Sequence, residues 1–583
     1  MLNDGKPQRL PHDQSFDVVI IGGGINGISV YRELSLQGVK VLLVEKEDFC
    51  SKASGALSRM IHGGLRYLEN GEFDLVKESL AERNRLLMNA PHYVQPLVTT
   101  IPIFSRWSGL VYALFNFTGL MNKPSRRGAL VVKLGLWFYD FFTRHDQRLP
   151  KHCFFSQHKT LARWPMFDAS VKCSADYYDA WISSPERLAL ELLQDTQGGQ
   201  QNSDSMACNY TELLARDGNR FSLRDCLSGE TVQVSADKLV NATGAWIDKT
   251  NDRIGLQSGY LQGTKGSHII VKHNDLFAQL NGHMVFYENA EGRVCILFPY
   301  YDKVLIGSTD IPVSDPDNIT CTEDEINYMF DSLKAIFPSL VIHREDIVYQ
   351  FSGVRPLPSV QTSTTGQIPR SHSLKVDDSE DGRVRTYSLI GGKWTTFRAF
   401  GEEVADQILS DMQRQRHIST AERAIGGGYN FPQTEAEHRV FIQNLQLTFS
   451  LSEIQAQRMF QRYGTGCLAI LTFMVQSEDC LCVSLPDYTQ RELLYLIENE
   501  AVCKTLDLLQ RRTSIAIQGR ITQEVLLELT QLVAATLGWN EQQTKNDLAN
   551  SCQLLRLHHG LDFNLDHIEK LRAATLSDIY VYQ

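Results

Sequence analysis

The sequence predicts an α/β nucleotide-binding domain, interrupted by a strand-rich insertion and followed by an all-helical C-terminal domain. Three observations predict it. Residues 17–46, DVVIIGGGINGISVYRELSLQGVKVLLVEK, read as a complete βαβ unit. Residues 260–310 alternate apolar and polar side chains at strand spacing, and beyond residue 435 the pattern becomes helical.

In the βαβ unit, Val18–Ile21 is an apolar strand without a charge, as burial on both faces of a parallel sheet requires. Gly22, Gly24 and Gly27 supply the G-x-G-x-x-G spacing. The first allows a tight turn, the second lets backbone approach a pyrophosphate, and the third lets helix pack on strand. The helix that follows carries Ile28, Tyr31, Leu34 and Leu36, and aims its amide groups and positive dipole end at that pyrophosphate. A second strand, Lys40–Val44, ends at Glu45, placed to accept hydrogen bonds from adenosine ribose hydroxyls. The unit reads as a site for an ADP moiety; the alternative is a glycine-rich turn in an ordinary α/β domain.

Further along, Glu72–Met88 reads as an amphipathic helix and Pro185–Gln194 as another. Strands follow at Asn209–Leu214, with hairpins at Asp217-Gly218 and Ser228-Gly229, then at His283–Tyr287, Val294–Pro299 and Lys303–Gly307. A strand at Thr386–Ile390 runs into Gly391-Gly392 and a helix from about Thr395 to Ser410. Residues 1–410 therefore form one discontinuous domain pair, 411–435 a polar linker, and 436–583 a helical domain with runs at Arg491–Gln510 and Gln523–Leu537.

A chain of 583 residues is too long for one core. The net charge of −11 argues against a general nucleic-acid binder. Twelve cysteines without a C-x-x-C pair read as reduced thiols, and the polar N-terminus places the protein on the cytoplasmic side. No apolar run reaches the length of a spanning helix. Yet Trp107–Met121 and Ala129–Phe142 are rich in aromatic and aliphatic residues, with Lys123, Arg126 and Arg127 between them. Two readings stand: an interfacial element on a lipid bilayer surface, or a hairpin packed on its own domain.

Three segments point to a flavin rather than a nicotinamide, one of them Ser51–Leu68 directly after Glu45. LVNATGAW, Leu239–Trp246, is a strand ending at Gly244, which lets backbone pass a dinucleotide from the opposite side. The Gly391-Gly392-Lys393 turn opens a helix bearing Thr395 and Thr396. Its positive end, with Lys393, suits the negative charge that builds on a reduced flavin.

NGIS, MIHGGLRYLE, NATGAW, KGSHIIV, IGSTD, SGVRPL and GGKWTTFR, with QRYG and YTQRELLYLIENEAVCKTLDLLQRRTSIAI beyond the linker, resemble the FAD-dependent glycerol-3-phosphate dehydrogenases of the aerobic, quinone-linked type. The resemblance covers nearly the whole chain. It implies a glutathione-reductase-like FAD domain, an inserted antiparallel-sheet substrate domain and a helical cap. It also implies FAD contacts from Gly22, Gly24, Asn26, Gly27, Glu45, Ser58, His62, Gly63, Gly64, Leu65, Gly244, Gly392, Lys393 and Thr395. Arg66, Tyr67, Arg355, Arg370 and Lys393 would then meet the substrate, glycerol 3-phosphate. Guanidinium forks match phosphate oxygens, and hydride leaves C2 as the hydroxyl loses its proton. His268 is the candidate for taking or relaying that proton, because an imidazole titrates near neutrality. The alternative is an alkoxide stabilised by Arg355 while water takes the proton. No metal is implied. The implied partners are a membrane quinone and the inner face of the cytoplasmic membrane; oxygen as acceptor, another phosphorylated alcohol and a homodimer stay open. The chain departs from the family pattern at Arg59, Ser183, Ser184 and Ser371, which bears on substrate preference and on the orientation of Arg370.

Overall fold

The structure, a computed structural model, describes residues 13–68, 71–105, 128–144, 146–196, 204–289, 293–360, 368–564 and 568, and the side chains of Arg66 and Leu68 fall outside it. The apolar segment 107–121 and its basic connector lie outside the described residues.

β1 (Val18–Ile21) leads through the glycine turn into α1 (Ile25–Leu36) and back to β2 (Val41–Val44). Every residue of both strands is buried, which is why neither strand carries a polar side chain. The chain then leaves this sheet past α2 (Phe73–Asn89) and α3 (Ala129–Thr143), and returns with Met206–Cys208 and β3 (Lys238–Asn241). It leaves again through β4 (Leu261–Val271), α4 (Glu323–Lys334) and β5 (Ile347–Pro358). Ser373–Asp378 and β6 (Arg385–Ile390) bring it back. The result is a six-stranded sheet in the order Ser373–Asp378, β6, β3, β1, β2, Met206–Cys208. All its pairings are parallel except that of Ser373–Asp378 with β6.

The excursions build a ten-stranded sheet. In it β4 pairs antiparallel with β5, setting His268 opposite Phe351 and Thr264 opposite Arg355. One seam, Met284 and Val285 with Thr99 and Thr100, is parallel. A small sheet carries the two expected hairpins, with Gly218 (φ +58°) and Gly229 (φ +79°) in the left-handed region their turns need.

The C-terminal helices pack on the ten-stranded sheet. Phe298, Tyr349 and Phe351 of the sheet share one apolar core with Leu493, Leu496, Leu526 and Leu529.

One expectation needs correction, and the connecting stretch 411–435 is more tightly packed than its polar composition suggests. The run Arg491–Gln510 is not one helix: Gln490–Asn499 ends before Ala501, whose φ of +52° breaks the helical path, and a π-turn follows at Leu508–Arg512. The Asp507 carboxylate accepts the amides of Cys503 (2.8 Å) and Lys504 (2.9 Å), which starts the second segment. The polar stretch 411–435 is a packed strap, because its charges have buried partners on the first domain. Arg416 pairs with Glu33 at 2.6 Å and Arg423 with Asp195 at 2.9 Å, while Gln37 accepts the amides of His417 and Ile418.

Candidate active site

β1, β3 and β6 run parallel, so their C-terminal ends deliver three loops to one edge of the sheet: the glycine turn, Thr243-Gly244 and Gly391-Gly392. A Cβ on Gly22 would lie 2.6 Å from the Ala242 carbonyl oxygen, so the first two loops are in direct contact. One on Gly27 would lie 2.0 Å from the Gly22 carbonyl oxygen, as close helix packing demands. Gly24 and Gly244 differ. A Cβ on Gly24 would approach Ser54 Oγ at 3.1 Å, and one on Gly244 would meet no described atom within 4 Å. Ser54 Oγ caps the Ile25 amide at the head of α1 at 2.9 Å, and the open space beside that helix end lies on the Gly244 side.

Glu45 stands beside the glycine turn, its carboxylate accepting the amides of Gly23 (2.7 Å) and Glu47 (2.9 Å). Burial raises its pKa. Asn26 donates to the Gly391 carbonyl at 3.0 Å, and a Cβ on Gly392 would strike its amide nitrogen at 2.3 Å. The buried Asn26 Oδ1 and Thr396 Oγ1 have no protein partner. Orphaned polar atoms at the mouths of opposed loops, beside the N-terminus of α1, fit a dinucleotide flavin spanning the edge of the sheet.

The turn after Met60–Ile61 closes the other side. His62 donates its amide to Thr395 Oγ1 at 3.3 Å, and the Gly63 amide is held by Asp179 Oδ1 and Tyr139 Oη, both at 3.0 Å. Gly64 has φ +78°, and Leu65 packs against α3. Burial first, then the Lys393 charge, lowers the His62 pKa to about 4. The Lys393 ammonium sits 4.3 Å from the Tyr67 ring centroid, and the Tyr67 and His62 rings are 5.9 Å apart. The backbone of Arg66 lies on the same turn, Leu65–Leu68.

His268 Nε2 lies 2.8 Å from Ser58 Oγ, and the ring stacks on Phe351 with centroids 5.0 Å apart. Its Nδ1 is buried without a partner. Burial, reinforced by the charges of Arg355 and Arg59, lowers its pKa to about 3. The expectation of a near-neutral titration is therefore corrected: the imidazole is uncharged at neutral pH. Ser58, expected at the flavin, is its hydrogen-bond partner.

The guanidinium of Arg355 lies over Gly266, where a Cβ would come within 2.1 Å of its Nη2. It donates to Asp310 Oδ1 at 3.0 Å, to Ser308 Oγ at 3.1 Å and to the Thr309 carbonyl at 3.3 Å. Arg370 reaches the other Asp310 oxygen at 3.5 Å, and Arg293 approaches it at 4.0 Å. Burial lowers the Arg355 pKa; Asp310 opposes this, and Arg370 and Arg293 reinforce it. Three guanidiniums thus converge on one carboxylate. Sequence reasoning quoted IGSTD but passed over its acid, Asp310. Behind it, Glu325 of α4 accepts from Ser267 Oγ (2.8 Å) and Thr309 Oγ1 (2.7 Å) and pairs with Lys265 (2.7 Å), which fixes the loop carrying Asp310.

The departures also have places. Arg59 forms a buried bidentate pair with Glu186, at 2.8 and 2.6 Å, which a lysine could not reproduce. The Ser183 carbonyl accepts from Tyr300, Ser184 Oγ lies 3.4 Å from Tyr301 Oη, and Ser371 is exposed.

Residues 17–407 match the FAD dependent oxidoreductase family, and residues 418–544 match the C-terminal domain of alpha-glycerophosphate oxidase. The chain is 31% identical to the glycerol-3-phosphate dehydrogenase of Synechocystis sp. over 91% of its own length and 94% of that protein. It is 30% identical to the aerobic glycerol-3-phosphate dehydrogenase of Escherichia coli K12, over 88% of its length and 98% of that protein. Its fold matches a glycerol-3-phosphate dehydrogenase from Bacillus halodurans solved with FAD, with a TM-score of 0.72 at 20% identity, covering 94% of this chain and 96% of that one. An FAD cradle on the parallel sheet, a second sheet beside it and a helical domain on that sheet agree with these matches, and the chain belongs to the FAD-dependent glycerol-3-phosphate dehydrogenase family.

Proposed function

We propose that the protein oxidises sn-glycerol 3-phosphate to dihydroxyacetone phosphate and passes the electrons to a membrane quinone. The observation that carries the substrate is the convergence of Arg355, Arg370 and Arg293 on Asp310, close to His268. When bound, FAD supplies the hydride acceptor. Arg355 and Arg370 are placed to take phosphate oxygens by paired N–H donors, with Asp310 holding their forks aligned. Neutral His268, oriented by its hydrogen bond with Ser58, can take the proton of the substrate hydroxyl as hydride leaves C2 and release it to water afterwards. The Lys393 charge, at the positive end of its helix, favours electron density arriving at the cleft.

The acceptor and the location rest on α3. Its inner face, Val132, Leu136 and Tyr139, is buried, while Leu130, Leu134, Trp137 and Phe141 are 41–58% exposed. Spaced at three or four residues, they form an apolar stripe on the outside, and the guanidinium of Arg144 lies over the Phe141 ring. Such a helix lies in a bilayer surface with its aromatic residues among the acyl chains. Among the described residues no helix is long and apolar enough to cross a membrane. The protein then works as a peripheral enzyme on the inner face of the cytoplasmic membrane, where a quinone is at hand.

A second reading keeps the substrate and makes oxygen the acceptor; the match of residues 418–544 to an oxidase domain favours it. Anaerobic addition of sn-glycerol 3-phosphate to the purified yellow protein tests the substrate. Bleaching of the flavin band supports the proposal, and an unchanged spectrum refutes it. Reoxidation by a short-chain quinone faster than by air separates the two acceptors.

A further inference from the structure

The cleft does not account for the helical domain. One buried charge cluster connects the two. Asp48, three residues past Glu45, is almost fully buried. Arg512 Nη2 donates to Asp48 Oδ1 at 2.9 Å, and Arg512 Nη1 and Arg511 Nε both donate to Oδ2. Asn209 adds a bond to Oδ1 at 2.9 Å. Both arginines belong to the π-turn, a wide turn frequent at functional sites. Arg512 is braced by the carbonyls of Glu500 (2.8 Å) and Ala501 (3.1 Å), and Arg511 by Asp507 (2.7 Å). Two carboxylates face two guanidiniums, and the cluster is neutral. Burial alone would raise the Asp48 pKa; Arg512 and Arg511 outweigh it and hold the carboxyl well below the usual range.

Asp48 is also the first anchor of a loop, residues 46–59, that touches the glycine turn, the head of α1 and the segment after Gly391-Gly392. The Cys50 amide donates to the Gly23 carbonyl at 3.0 Å, and Ser54 Oγ accepts the Ile25 amide at the head of α1 at 2.9 Å. Trp394 donates to the Ser54 carbonyl at 2.9 Å, which ties in the Gly391-Gly392 segment. Ser58 meets His268, and Ala56 lies where a Cβ on Gly353 would come within 2.7 Å, two residues from Arg355. The helical domain already docks through the shared apolar core, so docking alone does not call for buried charges. A buried ion cluster adds little net stability, but it admits few alternative geometries.

We propose that Arg511 and Arg512 are positioning residues for the flavin, and that the helical domain serves to lock the 46–59 loop so that the FAD cradle is preformed. The proposal rests on FAD binding and is independent of the substrate. Its test is the double variant Asp48→Asn/Arg512→Met, which removes one charge of each sign and leaves Arg511 with Asp507. Flavin release from the holoenzyme is followed by the rise of free-flavin fluorescence on dilution. Unfolding of the same preparation at saturating FAD is followed by circular dichroism. The expected result is release roughly tenfold faster, the scale on which single sites along a packed network alter coupling, with the melting temperature within a few degrees of wild type. Wild-type release overturns the proposal, as does flavin loss that appears only together with global unfolding. If the double variant does not fold, Arg512→Lys, which keeps the charge and loses the fork, is measured in the same way: faster release supports the lock, and unchanged release overturns it.

Discussion

Gly266→Ala displaces Arg355, the arginine proposed to bind the substrate, without replacing it. Gly266 lies in β4 opposite Gly353, and alanine is at home in that extended backbone. A Cβ there would fall 2.1 Å from Nη2, 2.5 Å from Cζ and 2.6 Å from Nη1 of Arg355. All three are well inside van der Waals contact, so the guanidinium must move by roughly 1 Å or more. The moving part is the end of a flexible side chain, so the fold absorbs the change cheaply. Catalysis does not, because a displacement of about 1 Å in a positioning group can cost on the order of 100-fold in rate. The expected variant is yellow and melts within a few degrees of wild type. Its rate of anaerobic flavin bleaching by sn-glycerol 3-phosphate falls about 100-fold. Wild-type bleaching, with alanine verified at 266, would refute the placement of Arg355 at the substrate.

Gly24→Val puts a side chain against Ser54 Oγ and blocks backbone approach to a pyrophosphate, and should yield a colourless protein; a full flavin spectrum would contradict the cradle. Leu134→Glu/Trp137→Glu puts charge on the exposed stripe of α3 and should release the enzyme from anionic liposomes while the soluble half-reaction proceeds normally. Retention on the liposomes would move the anchor elsewhere. The buried imidazoles of His62 and His268 have pKa values of about 4 and about 3. Below their unfolded pKa of ~6.5 the unfolded chain binds protons that the folded one refuses, so their contribution is complete above that pH and declines as pH falls toward 4. Each histidine contributes a slope of up to about 1.4 kcal/mol per pH unit, and urea midpoints should drop between pH 7 and 5. A smaller drop is expected in His268→Gln, and an equal one would show that His268 titrates normally.

What could be read from the sequence was local. The glycine turn, the hairpins at Gly218 and Gly229 and the helix after Gly392 each announce themselves within a few residues, because a positive φ or a periodic apolar face is written in neighbouring positions. Asp310 escaped because its meaning comes from arginines up to 60 residues away in sequence. The low pKa of His268 comes from burial against Phe351 and from two distant guanidiniums, none of which is visible in KGSH. The strap at 411–435 looked like a linker for the same reason: Glu33 and Asp195, which neutralise it, lie far upstream. The break at Ala501 carries no glycine or proline to mark it; around it the Asp507 carboxylate accepts the Cys503 amide and Arg512 donates to the Glu500 carbonyl.

The order of strands in the parallel sheet sets a timetable for biosynthesis. β1 and the glycine turn are made before the other strands of this sheet, but β1 lies between β2 and β3, and β3 between β1 and β6. The contact of Asn26 with Gly391 spans 365 residues. At about 5–20 residues per second, the nascent glycine turn waits roughly 20–70 s for its partner to leave the ribosome. In the later part of that interval, between its own synthesis and that of β6, β3 has no permanent neighbour on its far side. Non-local pairings of this kind fold slowly and expose sheet edges meanwhile. A flavin cradle that needs all three loops is accordingly complete only after the Gly391-Gly392 turn has been made.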